Sequence, residues 1–170
     1  MSAIKTLTQI GQSLWYDNIQ RSLLMDGSLK QLIDDGEIRG VTSNPSIFHN
    51  AIAKSRDYDA ALIPMAWSGW STERIFTRLA VEDIRSAADL FQPLYLQTNG
   101  GDGYVSLEVN PYLAKDTQGT LREARRLWEM VQRPNLMIKI PATAEGIPAI
   151  REAIADGINV NVTLIFSLQR

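Results

Sequence analysis

The chain alternates between short apolar runs and longer segments in which apolar residues recur every three or four positions. Five of the short runs have the length and composition of β-strands. They lie at residues 14–16, 40–43, 104–109, 136–140 and 160–166. Runs that are apolar without alternation are typical of parallel sheets, because both faces of such a sheet are covered.

The segments between these runs predict helices, the longest of which has Ser71 as its capping residue. The predicted helices cover about residues 46–54, 57–66, 71–91, 118–131 and 145–157. Strand and helix therefore alternate, and the last two strand-to-strand intervals have roughly the thirty residues that a βα unit needs. This favours a parallel α/β sheet, closed or open, with an insertion between its second and third strands.

The fifth predicted strand lies at the end of the chain. An eight-stranded barrel takes about 250 residues, whereas this chain has 170. Five strands of such a barrel would leave two apolar edges unpaired, which favours aggregation. We therefore expect residues 1–170 to form a single, incomplete domain, and a truncated gene product would explain it.

The charge and the cysteine and histidine content exclude several classes of function. The formal net charge is −2, so there is no basic field for nucleic acid or an anionic membrane. The chain has no cysteine and one histidine, His49, which we interpret as an exposed or capping residue. Thiol nucleophiles, thiolate metal sites and histidine-rich metal clusters are thereby excluded. No signal peptide or long apolar span is present, and we expect a cytoplasmic protein.

Polar residues follow or interrupt all five predicted strands. In α/β folds the chemistry sits at the carboxyl ends of the strands, so polar residues there are candidates for function. These candidates are Asp17, Asn44, Glu108, Lys139, Asn161 and Thr163. Asn161 and Thr163 alternate with valines and should face the same side of the sheet.

Lys139 lies inside an apolar strand and has two interpretations. It can form an internal ion pair with Glu108 on the adjacent strand. Alternatively it is a Schiff-base nucleophile, because desolvation disfavours the ammonium form and leaves a reactive amine at neutral pH. Imine chemistry also needs proton transfers, which Glu108 and Asp17 could divide. The polar residues on the other four strands favour the catalytic interpretation.

The remaining candidates also have structural interpretations. Glu108 and Asp17 could be solvated carboxylates at strand ends. Asn44 could start a turn before a proline, or it could hydrogen-bond a substrate hydroxyl. Strand alternation alone would explain the pattern of Asn161 and Thr163.

Four segments, in order, resemble the transaldolase family. GVTSNPSIF at 40–48 is similar to the first transaldolase signature, and MIKIPAT at 137–143 is similar to the segment around the Schiff-base lysine. VSLEVNP at 105–111 and NVNVTLIFS at 159–167 resemble the strands before and after that lysine. Each motif is weak alone, but four in order are specific, and the resemblance covers almost the whole chain.

The resemblance implies an α/β fold, the (β/α)8 TIM barrel of class I aldolase type, represented here by about its first five strands. It implies transfer of a dihydroxyacetone unit from a ketose phosphate (sedoheptulose 7-phosphate or fructose 6-phosphate) to an aldose phosphate (glyceraldehyde 3-phosphate or erythrose 4-phosphate). This is a reaction of the non-oxidative pentose phosphate pathway. The implied partners are these sugar phosphates, and no metal or organic cofactor is implied.

The resemblance also implies roles for the polar residues. Lys139 would form the imine with the ketose, and Asp17 would take the proton from the C4 hydroxyl. Glu108, with Thr163, would hold the water used in proton transfers around imine formation. The residues that would bind the hydroxyls of the dihydroxyacetone moiety are Asn44 and Asn161.

The chain also departs from the family pattern. The later serine and the arginines that grip the substrate phosphate would lie beyond Arg170, so the isolated chain is expected to be a poor or inactive enzyme. A homo-oligomer or a C-terminal continuation of the polypeptide could complete it. Two alternatives stay open: a Schiff-base aldolase that releases free dihydroxyacetone, and a truncated, non-catalytic half-barrel.

Overall fold

The computed structural model describes residues 3–168, which contain one parallel five-stranded sheet. Each strand pairs only with the strands before and after it in sequence. The strands are β1 (Trp15–Asp17), β2 (Gly40–Thr42), β3 (Tyr104–Glu108), β4 (Leu136–Pro141) and β5 (Val160–Thr163). A doubly wound sheet reverses its strand order, whereas a barrel adds strands in one direction. The sequential order is therefore that of a barrel wall.

Helices occupy every connection between strands, and one further helix precedes β1. They are α1 (Ala3–Gln9), α2 (Arg21–Met25), α3 (Ser28–Asp34), α4 (Pro45–Ala53), α5 (Asp59–Trp67), α6 (Thr72–Gln97), α7 (Thr117–Val131) and α8 (Gly146–Ala155), with a short 3₁₀ helix at Pro111–Leu113. The long connection between β2 and β3 holds α4, α5 and α6, which confirms the predicted insertion. No helix within residues 3–168 is long and apolar enough to span a membrane.

Helix α6 begins where the sequence predicts it. The Ser71 hydroxyl accepts a hydrogen bond from the backbone N–H of Arg74 at 3.3 Å, as an N-cap residue does. The helix continues past the predicted end at residue 91 to Gln97, with Pro93 inside it. Proline removes one ladder hydrogen bond, but Phe91 and Leu94 on either side pack in the core and hold the helix together.

Two further features differ from the sequence-based expectation. Strand β5 ends at Thr163 and not at residue 166, because Leu164 has a φ of 64°, in the left-handed region, which interrupts the extended backbone. Helices α1, α2 and α3 have five to seven residues each and were not predicted. Helices this short are held by tertiary packing more than by their own sequence, as the buried Leu29 of α3 illustrates.

The two faces of the sheet have different surroundings. On β4, Leu136, Ile138 and Ile140 are fully buried and pack against helix residues in the main core. Met137 and Lys139 alternate with them and are only partly buried. Since successive strand residues point to opposite faces, the helices cover one face and the other is left for polar groups.

Candidate active site

The face of the sheet that carries Lys139 forms an open groove of about 570 Å³. Strands β1, β2, β4 and β5 each contribute a polar residue to its lining. Four of the six candidate residues line it: Asp17, Lys139, Asn161 and Thr163. Glu108 and Asn44 are not in the lining: Glu108 pairs with Lys139, and Asn44 follows Ser43, whose carbonyl accepts from Lys139.

Lys139 lies near the carboxyl end of β4. In the register of the sheet it sits between Glu108 of β3 and Asn161 of β5. Its Nζ is 3.5 Å from Glu108 Oε2 and donates to the backbone carbonyl of Ser43 at 3.5 Å. The Lys139 side chain is 14% exposed, so most of it is withdrawn from solvent while the residue still borders the groove.

Glu108 ends β3 and is as protected as Lys139, with 14% of its side chain exposed. Burial raises the pKa of the Glu108 carboxyl above its usual range, and the charge and hydrogen bond of Lys139 offset only part of that rise. Glu108 also borders a largely apolar cavity of about 290 Å³ between α6 and α7. A carboxyl group with a raised pKa holds its proton closer to neutral pH and can therefore donate it.

Asp17 is in a different environment from Glu108. It ends the three-residue strand β1, opposite Thr42 in register, and it is exposed to solvent. Asn161 and Thr163 lie on β5 next to Lys139 and Pro141, respectively, and both are partly buried. The groove thus has an exposed carboxylate at one side and amide and hydroxyl groups at the other.

Asn44 has a structural task. It is the N-cap of α4, and its Oδ1 accepts a hydrogen bond from the backbone N–H of Ile47 at 2.9 Å. This satisfies a donor of the first helical turn. The cap occupies the oxygen of the amide and does not engage its NH₂ group, so both sequence interpretations of Asn44 are compatible with this geometry.

The sequence analysis missed three hydroxyl residues around Lys139, which are Thr42, Ser43 and Ser106. The Ser106 hydroxyl donates to Thr42 Oγ1 at 3.0 Å, and the Ser43 hydroxyl donates to the carbonyl of Ser106 at 2.8 Å. These bonds connect β2 to β3 beside the carbonyl that accepts from Lys139. The available signal was strand alternation, which puts Ser106 on the same face as Glu108.

One further expectation concerns His49. His49 is exposed on α4 and is not among the residues that line the groove. Among the residues that the structure describes, no group of three or more histidine, cysteine, aspartate or glutamate side chains could hold a metal ion.

The sequential parallel sheet with its polar groups at the carboxyl ends defines the class of this protein as an α/β barrel. Residues 14–170 match the family described as Transaldolase/Fructose-6-phosphate aldolase. The chain belongs to this family. Its fold is accordingly the (β/α)8 barrel of the family, of which the chain contains the first five strands, as the sequence predicts.

Curated relatives support the same assignment. The chain is 51% identical over 168 residues to a transaldolase of Thiobacillus denitrificans, covering 99% of this chain and 47% of the relative. It is 52% identical over 169 residues to a transaldolase of Thermobifida fusca, covering 99% of this chain and 46% of the relative. A protein of a Nostoc species called transaldolase 2 is 48% identical over 163 residues, which are 96% of this chain and 43% of the relative. The chain therefore spans about half the length of the curated relatives it matches.

Proposed function

We propose that the chain carries the imine-forming part of a transaldolase active site and that Lys139 is its nucleophile. The observation that carries this proposal is the position of the Lys139 amine. It lies 3.5 Å from the Glu108 carboxylate, and Lys139 borders a groove shared with Asp17, Asn161 and Thr163. An ion pair built only for stability does not need an open groove with further polar groups beside it.

In the proposed reaction the Lys139 amine adds to the C2 carbonyl of a ketose phosphate. The carbinolamine then loses water to give the imine, and the proton needed for this step comes through a water held by Glu108 and Thr163. The raised pKa of Glu108 suits it to donating that proton. Asn161 and the NH₂ group of Asn44 would hydrogen-bond the hydroxyls of the three-carbon unit.

The carbon–carbon bond then breaks. Asp17 accepts the proton of the C4 hydroxyl, the electron pair of the C3–C4 bond moves into the imine to form an enamine, and the aldose phosphate leaves. The enamine adds to the aldehyde of the acceptor, Asp17 returns its proton to the new hydroxyl, and water releases the product from Lys139. A covalent intermediate keeps the three-carbon unit in place between the two half-reactions.

We further propose that residues 1–170 form the N-terminal portion of the barrel as one incomplete domain. The relatives, which are about twice as long, support a C-terminal continuation of the polypeptide over a second copy as the completing partner. Sugar phosphates are the proposed substrates. The donors would be fructose 6-phosphate and sedoheptulose 7-phosphate.

The second candidate is a Schiff-base aldolase that releases free dihydroxyacetone, since the family description names both activities. The relatives called transaldolase favour the transfer reaction. The two activities differ in whether product formation from fructose 6-phosphate requires erythrose 4-phosphate. A transaldolase requires this acceptor, whereas the aldolase forms free dihydroxyacetone without it.

The first test is to trap the imine. The chain is incubated with fructose 6-phosphate and borohydride, and the reduced adduct is measured by intact mass and peptide mapping. We expect one adduct, located on Lys139. Lys139→Ala should abolish it, whereas Lys115→Ala, which removes an exposed lysine outside the groove, should leave it unchanged. An adduct spread over several lysines, or none on the folded chain, would contradict the proposed role of Lys139.

A further inference from the structure

A buried polar cluster lies outside the groove and has no part in the proposed chemistry. It consists of Arg21 at the start of α2, Tyr58 before α5 and Asp83 in α6, and we call it the Arg21–Tyr58–Asp83 cluster. The Tyr58 hydroxyl donates to Asp83 Oδ2 at 2.7 Å, and Arg21 Nε donates to Asp83 Oδ1 at 2.8 Å. The Arg21 guanidinium also lies 4.6 Å from the centre of the Tyr58 ring.

The cluster joins segments that are distant in sequence. Tyr58 is 1% exposed and packs with Leu79 of α6 in a second, smaller apolar core. Asp83 is 2% exposed, and burial raises its pKa above the usual range in spite of its bonds to Tyr58 and Arg21. Placing these polar groups in the interior is costly unless all of them are paired, and here each has a partner in the cluster.

The cluster holds the backbone of the connection that follows Asp17. The Tyr58 hydroxyl accepts a hydrogen bond from the backbone N–H of Arg21 at 3.2 Å, while the Arg21 side chain is fixed by Asp83. Between Asp17 and Arg21, the side chain of Ile19 is 1% exposed and packs in the main core. Asp17 itself is exposed at the end of the three-residue strand β1, and the chain runs from it through the buried Ile19 to Arg21.

We propose that the Arg21–Tyr58–Asp83 cluster is a positioning device for Asp17 in the cleavage step. This inference rests on the proposed function. An apolar cluster of the same size would stabilise the fold as well or better, since buried ion pairs contribute little net stability. Directional bonds to both the backbone and the side chain of Arg21 fix an orientation, which an apolar contact does not.

The proposal separates two chemical steps. Imine formation uses Lys139, Glu108 and Thr163, none of which shares a hydrogen bond or ion pair with the cluster. Breakage of the C3–C4 bond uses Asp17, which must lie within hydrogen-bond reach of the C4 hydroxyl. Disturbing the cluster should therefore slow cleavage and leave imine formation unchanged.

Borohydride trapping measures both steps in one experiment. Before cleavage the reduced adduct on Lys139 has the mass of the intact hexose phosphate, and after cleavage it has the mass of the three-carbon unit. We would measure the ratio of the three-carbon to the six-carbon adduct after a fixed time with fructose 6-phosphate. Hydrogen–deuterium exchange of the peptide spanning residues 17–22 would report on the anchoring without any turnover.

Tyr58→Phe removes only the hydroxyl of the cluster. We expect the ratio of three-carbon to six-carbon adduct to fall about 10- to 100-fold, since small misplacements of a catalytic group have effects of this size. Total adduct should be unchanged, and the amides of residues 17–22 should exchange faster. Asp83→Asn should act in the same direction and serves as the second variant if Tyr58→Phe does not fold. The matched control is Tyr104→Phe, which removes a phenol that bonds the Gly100 carbonyl at the opposite end of β3.

The outcomes are distinguishable. An unchanged adduct ratio in both cluster variants would overturn the positioning role. A loss of total adduct in parallel with lower thermal stability would also overturn it, because it would indicate a purely structural cluster. Absence of any adduct on the parent chain would contradict the proposed function instead. Exchange at residues 17–22 would then decide the anchoring alone, and an unaltered rate in the variants would overturn it.

Discussion

At the scale of single residues, Glu108 and Asp17 have the same functional group in different surroundings. Glu108 is largely buried, and its pKa is raised by desolvation, whereas Asp17 is exposed at the end of β1. A buried carboxyl group with a raised pKa is suited to donate a proton near neutral pH, and an exposed carboxyl group at the groove is placed to accept one from a bound substrate. This division supports the proposed roles, in which Glu108 supplies a proton and Asp17 accepts one.

The raised pKa of Glu108 predicts how stability depends on pH. The folded protein binds this proton more tightly than the unfolded chain, in which the pKa of glutamate is about 4.3. The free energy of unfolding should therefore fall as the pH rises from about 4 through the raised folded pKa. Glu108→Gln should remove this part of the decrease, as measured by urea denaturation at a series of pH values.

Asp83 also has a pKa raised by burial and contributes a decrease of the same sign. It is present in both proteins, so the difference between the two curves isolates Glu108. A constant offset between the two curves of unfolding free energy against pH would reflect the lost partner of Lys139. A difference in their slopes would report the titration of Glu108. Parallel curves between pH 4 and 7 would contradict the assigned direction of the Glu108 shift.

At the scale of elements, Asn44 links the start of α4 to the candidate site. Its amide oxygen caps the helix, and its NH₂ group is the part that could bind a substrate hydroxyl. Serine can replace asparagine as an N-cap but carries no NH₂ group, and alanine can do neither. Substitutions can therefore separate the two tasks of this residue.

We expect Asn44→Ser to keep the free energy of unfolding within about 0.5 kcal/mol of the parent, since both residues are good caps. Asn44→Ala should lower it by about 1 kcal/mol through loss of the cap. Both variants should form less of the Lys139 adduct. If Asn44→Ser traps as well as the parent, Asn44 has only its structural task; Ser46→Ala, at an exposed position of the same helix, is the control.

The elements also show which parts of the fold follow from local sequence. The start of α6 was predicted correctly because a cap acts within one turn, and the strands were found because β4 and its neighbours are apolar runs. The predicted end of β5 was wrong, because the backbone turn at Leu164 has no local sequence signal such as a glycine. The Arg21–Tyr58–Asp83 cluster joins residues that are up to 62 positions apart, and no pattern within one element predicts it.

The candidate site also combines residues that the local sequence predicts with residues that only the tertiary structure brings together. Lys139 was identified because a charge in an apolar strand is conspicuous. Thr42 and Ser106 were missed because hydroxyl residues occur in many strands, and only the register brings these two within 3.0 Å of each other. The placement of Glu108 beside Lys139 was foreseen from adjacent strands, but its second contact, with the cavity between α6 and α7, depends on helix packing.

At the scale of the whole molecule, the two outer strands of the sheet are β1 and β5. The segment after β5 exposes a run of apolar side chains: Leu164, Ile165, Phe166 and Leu168. Phe166 is 87% exposed and Leu168 is fully exposed. Contiguous apolar surface next to an open strand edge favours association.

The chain studied alone should therefore self-associate as its concentration rises. Replacing both Phe166 and Leu168 by serine should shift it towards the monomer in sedimentation velocity, with little change in melting temperature because both side chains are exposed. Trp67→Ser is the control, since Trp67 is 88% exposed on α5, away from the sheet edge. Equal association of parent and double variant would show that this segment is not the contact surface.

The strand order has a consequence for how the protein is made. Because each strand pairs only with its predecessor and its successor in sequence, every unit that leaves the ribosome finds its partner strand already synthesised. The sheet can therefore grow vectorially from the N-terminus, with β5 as the growing edge. The longest delay in sheet growth comes between β2 and β3, because these strands can pair only after α4, α5 and α6 have been synthesised. Their pairing also has the largest sequence separation in the sheet. Ribosome-bound chains of increasing length should acquire protease resistance only after β3 has emerged.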